Sequence, residues 1–235
     1  METKKIPDHY ILFIIFWLIS IILLMPIHDA NASQDQVCKG IWASDGVSPF
    51  VGSNAPLREV VSPNRKFSIK AASDGLSVVG SQSITRLEDA IGNLPVTEIL
   101  WSPNSKYFAV NESDGGLVGT WTSHLYKLDE SDKPIKVPLE KSIRKIIDLL
   151  PHCQTEENAN FGVVAWLRGG NEILVIAEVP PHSSCRNMGE ITGLRISLQT
   201  RRVIERLSER VLRKNWSSVL GCRFVHPSQS NDTQR

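Results

Sequence analysis

The sequence predicts a mainly β protein of repeated antiparallel sheets with one or two short helical insertions. Three observations support this fold class: an internal match, further strand patterns with similar turn signals, and only two segments with helical spacing. Residues 62–75 (SPNRKFSIKAASDG) and 102–115 (SPNSKYFAVNESDG) are identical at seven of fourteen positions, 40 residues apart. Self-similarity at a fixed spacing indicates that one strand-turn-strand unit is used more than once.

Each copy has the same internal order. Apolar residues lead into a Ser-Pro-Asn turn, an apolar-rich strand follows, and Ser-Asp-Gly turns the chain again. Proline and asparagine at these positions favour tight turns. A weaker third copy has strands at 163–166 and 172–178 around Gly169-Gly170-Asn171, with Trp166 in the place of Trp101. Residues 193–199 and 202–207 then predict another strand pair.

Units of about 40 residues are typical of propeller blades. Residues 99–110 (ILWSPNSKYFAV) resemble the W-S-P-D-G-K-x-I-A-F repeat of TolB-type and related WD-like β-propellers, with Asn104 and Ser105 in place of Asp-Gly. Residues 191–208 are similar to a closing hairpin of such a blade. The resemblance covers about half of the mature chain and implies propeller-like sheets. It implies little about function, because propellers include enzymes, scaffolds and binding modules.

Only three repeat cores are recognisable, whereas a closed propeller needs at least four blades. Either residues 38–60 and 216–226 combine into a fourth blade, or the repeats form an open, stacked β-structure. The two helical segments lie at 139–150, where apolar residues follow helical spacing, and at 208–216, with Ser208 as the expected N-cap. Pro151 is expected to end the first helix.

The N-terminal residues 1–32 have the order of a secretory signal peptide. Lys4 and Lys5 precede an apolar stretch at residues 10–25, and Ala30-Asn31-Ala32 supplies small residues before a polar run. We expect cleavage between Ala32 and Ser33 and a periplasmic or secreted protein. The alternative is membrane anchoring by residues 10–27, because this stretch approaches spanning length. Membrane contact is expected only if the segment is retained.

Residues 33–232 are expected to form a single domain, since about 200 residues can bury a core of their own. The chain has 26 basic and 25 acidic residues; the signal segment contains two lysines and three acidic residues, which leaves 24 and 22. A mature net charge of about +2 argues against a nucleic-acid partner, because such proteins normally carry a marked basic excess.

Four cysteines, Cys38, Cys153, Cys185 and Cys222, all follow the signal segment, and an even number in an oxidising compartment predicts two disulfides. Three pairings are possible. We favour Cys153 with Cys185, which flank one strand-rich segment, and Cys38 with Cys222, which would join the ends of the domain. The alternative is buried free thiols.

Candidate binding features are few. A basic patch is predicted between residues 195 and 214, and it includes Arg201, Arg202, Arg206, Arg210 and Arg213. It could dock an anionic partner, or it could be an ordinary solvated face. The loop at 111–116 carries oxygen-bearing side chains that could hold a hard cation, although a structural turn is favoured. Trp101 and Trp166 could line a pocket, although their shared repeat position favours core anchors.

No common linear motif of catalysis, nucleotide binding or metal binding occurs, so no catalytic residue, cofactor or metal site is predicted. The expected function is that of an exported, non-catalytic protein that binds another protein in the cell envelope or extracellular space. One alternative is an envelope hydrolase whose site is assembled from loops. The other is a structural subunit of an exported assembly.

Overall fold

Twelve strands in three four-stranded antiparallel sheets form the framework of the described chain. The computed structural model describes residues 40–49, 58–72, 75–87, 96–115, 119–139, 143 and 158–225. Sheet A contains β1 (Val60–Val61), β2 (Ser68–Ala72), β3 (Gly75–Val79) and β4 (Ile84–Arg86). Sheet B contains β5 (Thr97–Trp101), β6 (Tyr107–Ser113), β7 (Trp121–Leu128) and β8 (Pro134–Val137). Sheet C contains β9 (Asn160–Leu167), β10 (Glu172–Glu178), β11 (Ile191–Ser197) and β12 (Arg202–Ser208).

In every sheet, neighbouring strands are consecutive in the chain, so each sheet is a simple meander. The predicted fold class is confirmed at this level: the protein is mainly β, with repeated antiparallel sheets and few helices. The strand pairs predicted at 163–178 and 193–207 are also present, as β9 with β10 and β11 with β12.

The two matching sequence segments form the same turn. In sheet A, Ser62 Oγ lies 2.9 Å from Asn64 Oδ1 and accepts a hydrogen bond from Phe67 N at 3.0 Å. In sheet B, Ser102 Oγ makes the same two contacts, at 2.8 and 2.9 Å, with the residues two and five positions later. A serine hydroxyl that bonds the backbone of its own turn stabilises the turn locally. The internal match therefore has a shared hydrogen-bond pattern as its physical basis.

Two hydrophobic clusters hold the sheets together. One cluster joins sheets A and B and includes Ile69, Leu76 and Phe108. The other joins sheets B and C and extends to residues near both ends of the described chain, among them Trp42 and Phe224. Fully burying one large apolar side chain contributes roughly 1.5–3 kcal/mol. Apolar burial between successive sheets is therefore the main source of stability.

Strand β10 lies in the centre of the second cluster. All seven of its residues are buried, in keeping with the continuous apolar run between Glu172 and Glu178. A run of this kind is typical of a strand covered on both faces. By contrast, β12 at the end of the same sheet buries only Leu207 fully.

The helix predicted at 208–216 is present as α1 (Glu209–Asn215). Ser208 occupies the N-cap position, but its side chain makes no capping hydrogen bond. Leu212 is fully buried, and its side chain lies against Gly193 of β11. Three further short helical segments are a 3₁₀ turn at Arg168–Gly170, a second at Ser217–Val219, and α2 (Cys222–Val225).

The helical insertion predicted at 139–150 lies outside the described residues except at two positions. Ile143 is helical, and its backbone N–H donates to Leu139 O at 3.1 Å. Both side chains are buried in the cluster that joins sheets B and C. Across the described parts of the chain, no helix is long and apolar enough to cross a membrane. The predicted signal segment, with Ala32 and Ser33, lies outside these parts.

Residues 40–47 and 216–224 meet, and we call this pair of segments the terminal closure. Ala43 forms an isolated bridge with Leu220, and Cys222 N donates to Gly40 O at 3.0 Å. A second isolated bridge joins Val47 to Ile99 of β5. The expected meeting of the two ends is therefore present. Within the described residues, however, they pair through single bridges and helical turns rather than as the strands of a fourth sheet.

Candidate functional site

Two tryptophans connect successive sheets in the same way. Trp101 Nε1 donates to Val60 O of sheet A at 3.1 Å, and Trp166 Nε1 donates to Leu100 O of sheet B at 3.3 Å. A buried indole N–H that finds a carbonyl acceptor lets the large ring pack without an unsatisfied polar atom. Both residues are therefore anchors between sheets, as their shared repeat position predicted.

The turns at one end of the three sheets are also tied together. Asn64 N of the sheet A turn donates to Ser105 Oγ of the sheet B turn at 3.0 Å. Asn104 Nδ2 of the sheet B turn donates to Gly169 O of the sheet C turn at 2.9 Å. These contacts, which span 41 and 65 residues of sequence, fix the turns relative to one another. We call this side of the described chain the turn end.

Two cavities open at the turn end. The A–B groove has a volume of about 830 Å³ and the B–C groove about 890 Å³, and Lys127 lines both. A smaller inner pocket of about 350 Å³ lies among the first strands of the three sheets and includes both Trp101 and Trp166. The grooves have the size of many ligand sites. Tyr107 of the B–C groove and Trp166 of the inner pocket lie with their ring centroids 6.1 Å apart.

The two grooves differ in charge. In the A–B groove, three lysines face three acidic residues of the β7–β8 turn: Lys66, Lys106, Lys127, Asp129, Glu130 and Asp132. The described lining of the B–C groove contains Lys127, Arg168 and Arg201 with one acidic side chain, that of Glu172. The B–C groove is therefore the more basic of the two.

The carboxylate of Glu172 is already engaged. Its oxygens lie 3.2 Å from Arg168 Nη1 and 2.8 Å from Arg195 Nη2. Hydrogen bonds to Glu172, and then to Glu205, raise the pKa of the Arg195 guanidinium above its ordinary value. Two guanidinium groups therefore share the Glu172 carboxylate, and one of them, that of Arg195, is also bound to Glu205.

The members of the predicted basic patch lie on a turn, on β12 and on α1. Arg201 lines the B–C groove, and Arg202 begins β12 beside it. Arg206 and Arg210 are exposed farther along β12 and in α1, and neither lines these cavities. Arg213 bonds Glu209 Oε1 at 2.7 Å and Phe224 O at 2.9 Å, so its guanidinium holds the helix against the terminal closure. Residues that are close in the sequence therefore lie on different elements, and Arg213 has a structural role.

A fully buried carboxylate, Glu98 in β5, holds the N-terminal half of the terminal closure. It accepts hydrogen bonds from Ile41 N, from Trp42 N at 3.0 Å, from Ala43 N at 3.1 Å and from Asn111 Nδ2 at 3.0 Å. Burial raises the pKa of Glu98, and these four hydrogen bonds oppose the shift. This geometry, in which four donors surround the carboxylate, assigns it a structural role.

A buried ion pair holds the C-terminal half. Arg223 Nε and Nη2 lie 2.9 and 2.6 Å from Glu178 Oε2, and Asn160 Nδ2 donates to the same oxygen at 2.9 Å. The guanidinium also lies 5.4 Å from the ring centroid of Trp42 and 5.6 Å from that of Trp121. Breaking such a pair on one side leaves a buried charge without its partner, which costs about 3–5 kcal/mol.

The loop considered for a cation has structural roles instead. Asn111 is fully buried, and its side-chain amide accepts from Val163 N and donates to Val163 O, both at 2.9 Å. Asp114 Oδ1 accepts from Thr120 N at 2.7 Å. Within the described ranges, no group of three or more His, Cys, Asp or Glu side chains could hold a metal ion.

The titratable pair nearest to a catalytic arrangement is His124 with Glu112. His124 Nε2 lies 2.9 Å from Glu112 Oε1, across strands β6 and β7. Neither residue lines the A–B groove, the B–C groove or the inner pocket.

The described cysteines, Cys185 and Cys222, are disulfide-bonded and do not titrate. No disulfide joins two described residues. Cys38 and Cys153 lie outside the described part of the chain, so the pairing stays a prediction.

The comparisons with known proteins found neither a matching family model nor a matching curated protein. The resemblance to TolB-type and WD-like propellers therefore depends on the sequence of residues 99–110 and 191–208.

Proposed function

We propose that the chain is an exported, non-catalytic binding protein that recognises another protein in the cell envelope or extracellular space. The observation that carries this proposal is the B–C groove, a cavity of about 890 Å³ whose described lining contains three basic side chains. It lies between two sheets whose turns are hydrogen-bonded to each other. Preorganised loops on a rigid β framework reduce the entropy cost of binding.

The proposed arrangement of the sheets is that of successive propeller-like blades. Sheets A, B and C follow one another in the chain, and the same tryptophan-to-carbonyl bond links A to B and B to C. The first strand of each sheet contributes to the inner pocket, as first strands line the central channel of a propeller. The terminal closure would then occupy the space that further blades fill in larger members of this class.

The proposed location is periplasmic or secreted, with residues 1–32 removed; retention of residues 10–27 would anchor the domain to a membrane. We expect Cys38 to pair with Cys222 and Cys153 with Cys185. The first pairing is supported by the hydrogen bond from Cys222 N to Gly40 O, because it brings the chain two residues after Cys38 next to Cys222. The bonded state of both described cysteines agrees with an oxidising compartment.

The test is to produce the full-length chain with a C-terminal tag, cross-link it in its native compartment and identify what is attached. We expect export, an N-terminus at Ser33 and one protein partner recovered in roughly equimolar amount. A chain that remains in the cytoplasm would overturn the location. A correctly exported chain with no enriched protein under several conditions would overturn the binding function.

A further inference from the structure

Three aspartates of the chain are followed directly by glycine: Asp45, Asp74 and Asp114. In such a pair, the backbone nitrogen of the glycine can attack the aspartate Cγ and close a five-membered succinimide ring. Glycine favours this reaction because it has no Cβ that would hinder the nitrogen or restrict the backbone. Each pair also follows a serine. The three pairs therefore have the same local sequence, and differences in their reactivity must come from the fold.

The pair Asp114–Gly115 lies on an exposed loop that follows β6. Both residues are exposed. In the described part of the chain, the Gly115 N–H contacts only Ser113 Oγ, at 3.4 Å, which is long for a hydrogen bond. The described atom nearest to an ideal Cβ on Gly115, chain neighbours aside, is Gly119 Cα at 3.8 Å. No described side chain therefore blocks the rotation that brings the Gly115 nitrogen to the Asp114 Cγ.

The pair Asp45–Gly46 is held in place. Gly46 is buried, and its N–H donates to Ala43 O at 3.0 Å. An ideal Cβ on Gly46 would lie 2.2 Å from Glu98 Cδ, so this backbone packs directly against the buried carboxylate. To reach the Asp45 Cγ, the Gly46 nitrogen would have to leave its hydrogen bond and displace part of the terminal closure. This pair should therefore stay unreacted while the protein is folded. Asp74 lies outside the described residues.

We propose that Asp114, and not Asp45, is a site of spontaneous isomerisation to isoaspartate in the folded protein, with water as the co-reactant. The Gly115 nitrogen forms a bond to the Asp114 Cγ, and the hydroxyl of the protonated carboxyl leaves with the amide proton as water. Water then adds to the former backbone carbonyl of Asp114 and breaks its bond to the Gly115 nitrogen, which remains on Cγ. The composition and the oxidation state of the chain are unchanged. This modification does not depend on the proposed function.

Isomerisation would alter the contacts that close the β6–β7 loop. Asp114 N donates to Thr120 O at 3.1 Å, and Asp114 Oδ1 accepts from Thr120 N at 2.7 Å. In the product, the main chain is one carbon longer and the free carboxylate is one carbon nearer to the Asp114 nitrogen, so these two bonds can no longer both keep their lengths. The loop leads directly into Trp121, which begins β7 and is fully buried. We therefore expect isomerisation to lower stability.

The experiment keeps the purified full-length chain at neutral pH and body temperature for several weeks. A protease that cleaves before aspartate but not before isoaspartate then reports the two forms by peptide mass spectrometry. We expect isoaspartate to accumulate at residue 114 severalfold faster than at residue 45. In concentrated urea the two positions should react at similar rates, because unfolding removes the restraint on Gly46. Equal rates in the folded chain, or no isoaspartate at residue 114, would overturn the proposal.

Matched variants connect the reaction to its consequence. Gly115→Ala adds a Cβ where there is space and where φ is not positive, so it should fold and should slow isomerisation at residue 114 severalfold. Gly80→Ala adds a methyl group at an ordinary packing distance far from the pair in sequence and should leave the rate unchanged. Equal rates in the two variants would refute the proposed attack by the Gly115 nitrogen.

Melting temperatures before and after storage measure the effect on the fold. The stored original chain should melt a few degrees lower than fresh protein, whereas stored Gly115→Ala should keep its melting temperature. If fresh Gly115→Ala fails to fold, Asp114→Glu replaces it, because the longer side chain would have to close a less favourable six-membered ring. A stored Asp114→Glu chain that loses as much stability as the stored original would show that isomerisation at residue 114 is not the cause.

Discussion

Two turn residues adopt a backbone conformation that favours glycine. Arg65 and Ser105 have φ angles of 61° and 56°, and they occupy equivalent places in the sheet A and sheet B turns. The left-handed region costs a residue with a Cβ about 1–2 kcal/mol. Ser105 compensates by accepting a hydrogen bond from Asn64 N, which links the two turns.

Replacing Arg65 by glycine is expected to raise the free energy of unfolding by roughly 0.5–1 kcal/mol, because glycine adopts this φ without strain. Urea unfolding measures the change. The matched control is Lys66→Gly, at the next exposed residue, which should lower the same free energy by a similar amount because its φ is ordinary. Destabilisation by both changes would contradict the explanation. Ser105→Gly should gain less than Arg65→Gly, because it also removes the acceptor for Asn64 N.

The buried carboxylate of Glu98 makes stability depend on pH in a defined direction. Its pKa is raised above the ordinary value of 4.5, so the folded state binds the proton more tightly than the unfolded state. The unfolding free energy is therefore expected to decrease as pH rises from about 4.5 through the folded-state pKa. Above the folded-state pKa of Glu98, its contribution to the free energy of unfolding no longer changes with pH.

Glu98→Gln isolates this contribution, because the amide does not titrate. The difference in unfolding free energy between the original chain and the variant should shrink as pH rises, when both are measured by denaturant titration across the window. Glu130→Gln, the same replacement in an exposed turn, is the control for removal of a carboxylate as such. A difference that grows with pH would reverse the sign and refute the burial argument.

At the scale of single elements, β9 is the strand on which the terminal closure packs. An ideal Cβ added to Gly162 would lie 2.4 Å from Cδ2 of the fully buried Trp42. The backbone of β9 can lie this close to the Trp42 ring only because residue 162 has no side chain. The position of Trp42 in the core therefore depends on the absence of a side chain at residue 162.

Gly162→Ala is expected to lower the free energy of unfolding by about 1–3 kcal/mol, because the added methyl group overpacks the core. Gly80→Ala is the control: its Cβ would contact the Phe67 ring at 3.5 Å, an ordinary packing distance. Thermal and urea unfolding of the two variants give the comparison. Equal stability of both variants would show that the core near Trp42 accommodates the methyl group without cost.

The strands could be predicted because their signals are local. Ser-Pro-Asn turns and short apolar runs lie within a few residues of the elements they define, and the third unit was recognisable from Trp166 and a Gly-Gly-Asn turn. The repeat position of Trp101 and Trp166 predicted core anchors, but the atoms that they bond in the neighbouring sheet could not be predicted, because each bond joins residues far apart in the chain. The bond from Trp166 Nε1 to Leu100 O, for example, spans 66 residues.

The candidate site was less predictable than the fold for the same reason. Arg201 was identified within a basic segment, but Lys127 and Arg168 join it only because β7 and the sheet C turn lie at the same end. Ile204 of the same groove gave no sequence signal, since its place in a β-bulge of β12 depends on the register between two strands. Glu98 was also missed, because the three backbone donors that it binds lie more than 50 residues earlier in the chain.

For the described part of the molecule, two end strands, β4 and β8, have features that limit pairing with other chains. Exposed isoleucines occur on β4, β8 and β12, at Ile84, Ile135 and Ile204. The first two strands are only three and four residues long, and β8 begins at Pro134. Short edge strands with proline or nearby charge resist edge-to-edge aggregation.

The two predicted disulfides would also contribute to the stability of the whole domain. Peptide mapping without reduction should recover Cys38 linked to Cys222 and Cys153 linked to Cys185. Cys222→Ser should then lower the melting temperature more than Cys153→Ser, because the bond across the whole domain constrains a longer loop in the unfolded chain. A peptide in which Cys38 is linked to Cys185 would refute both pairings.

The terminal closure also determines when the domain can be completed. Residues 40–47 are synthesised early, but their partners at 216–224 are among the last to be made. Until then the Trp42 ring lacks its contacts with Phe224 and Arg223, and Glu178 lacks its Arg223 partner. A chain cut short before residue 216 would therefore expose Trp42 and leave Glu178 without its guanidinium partner, and would be an immediate substrate for proteolysis.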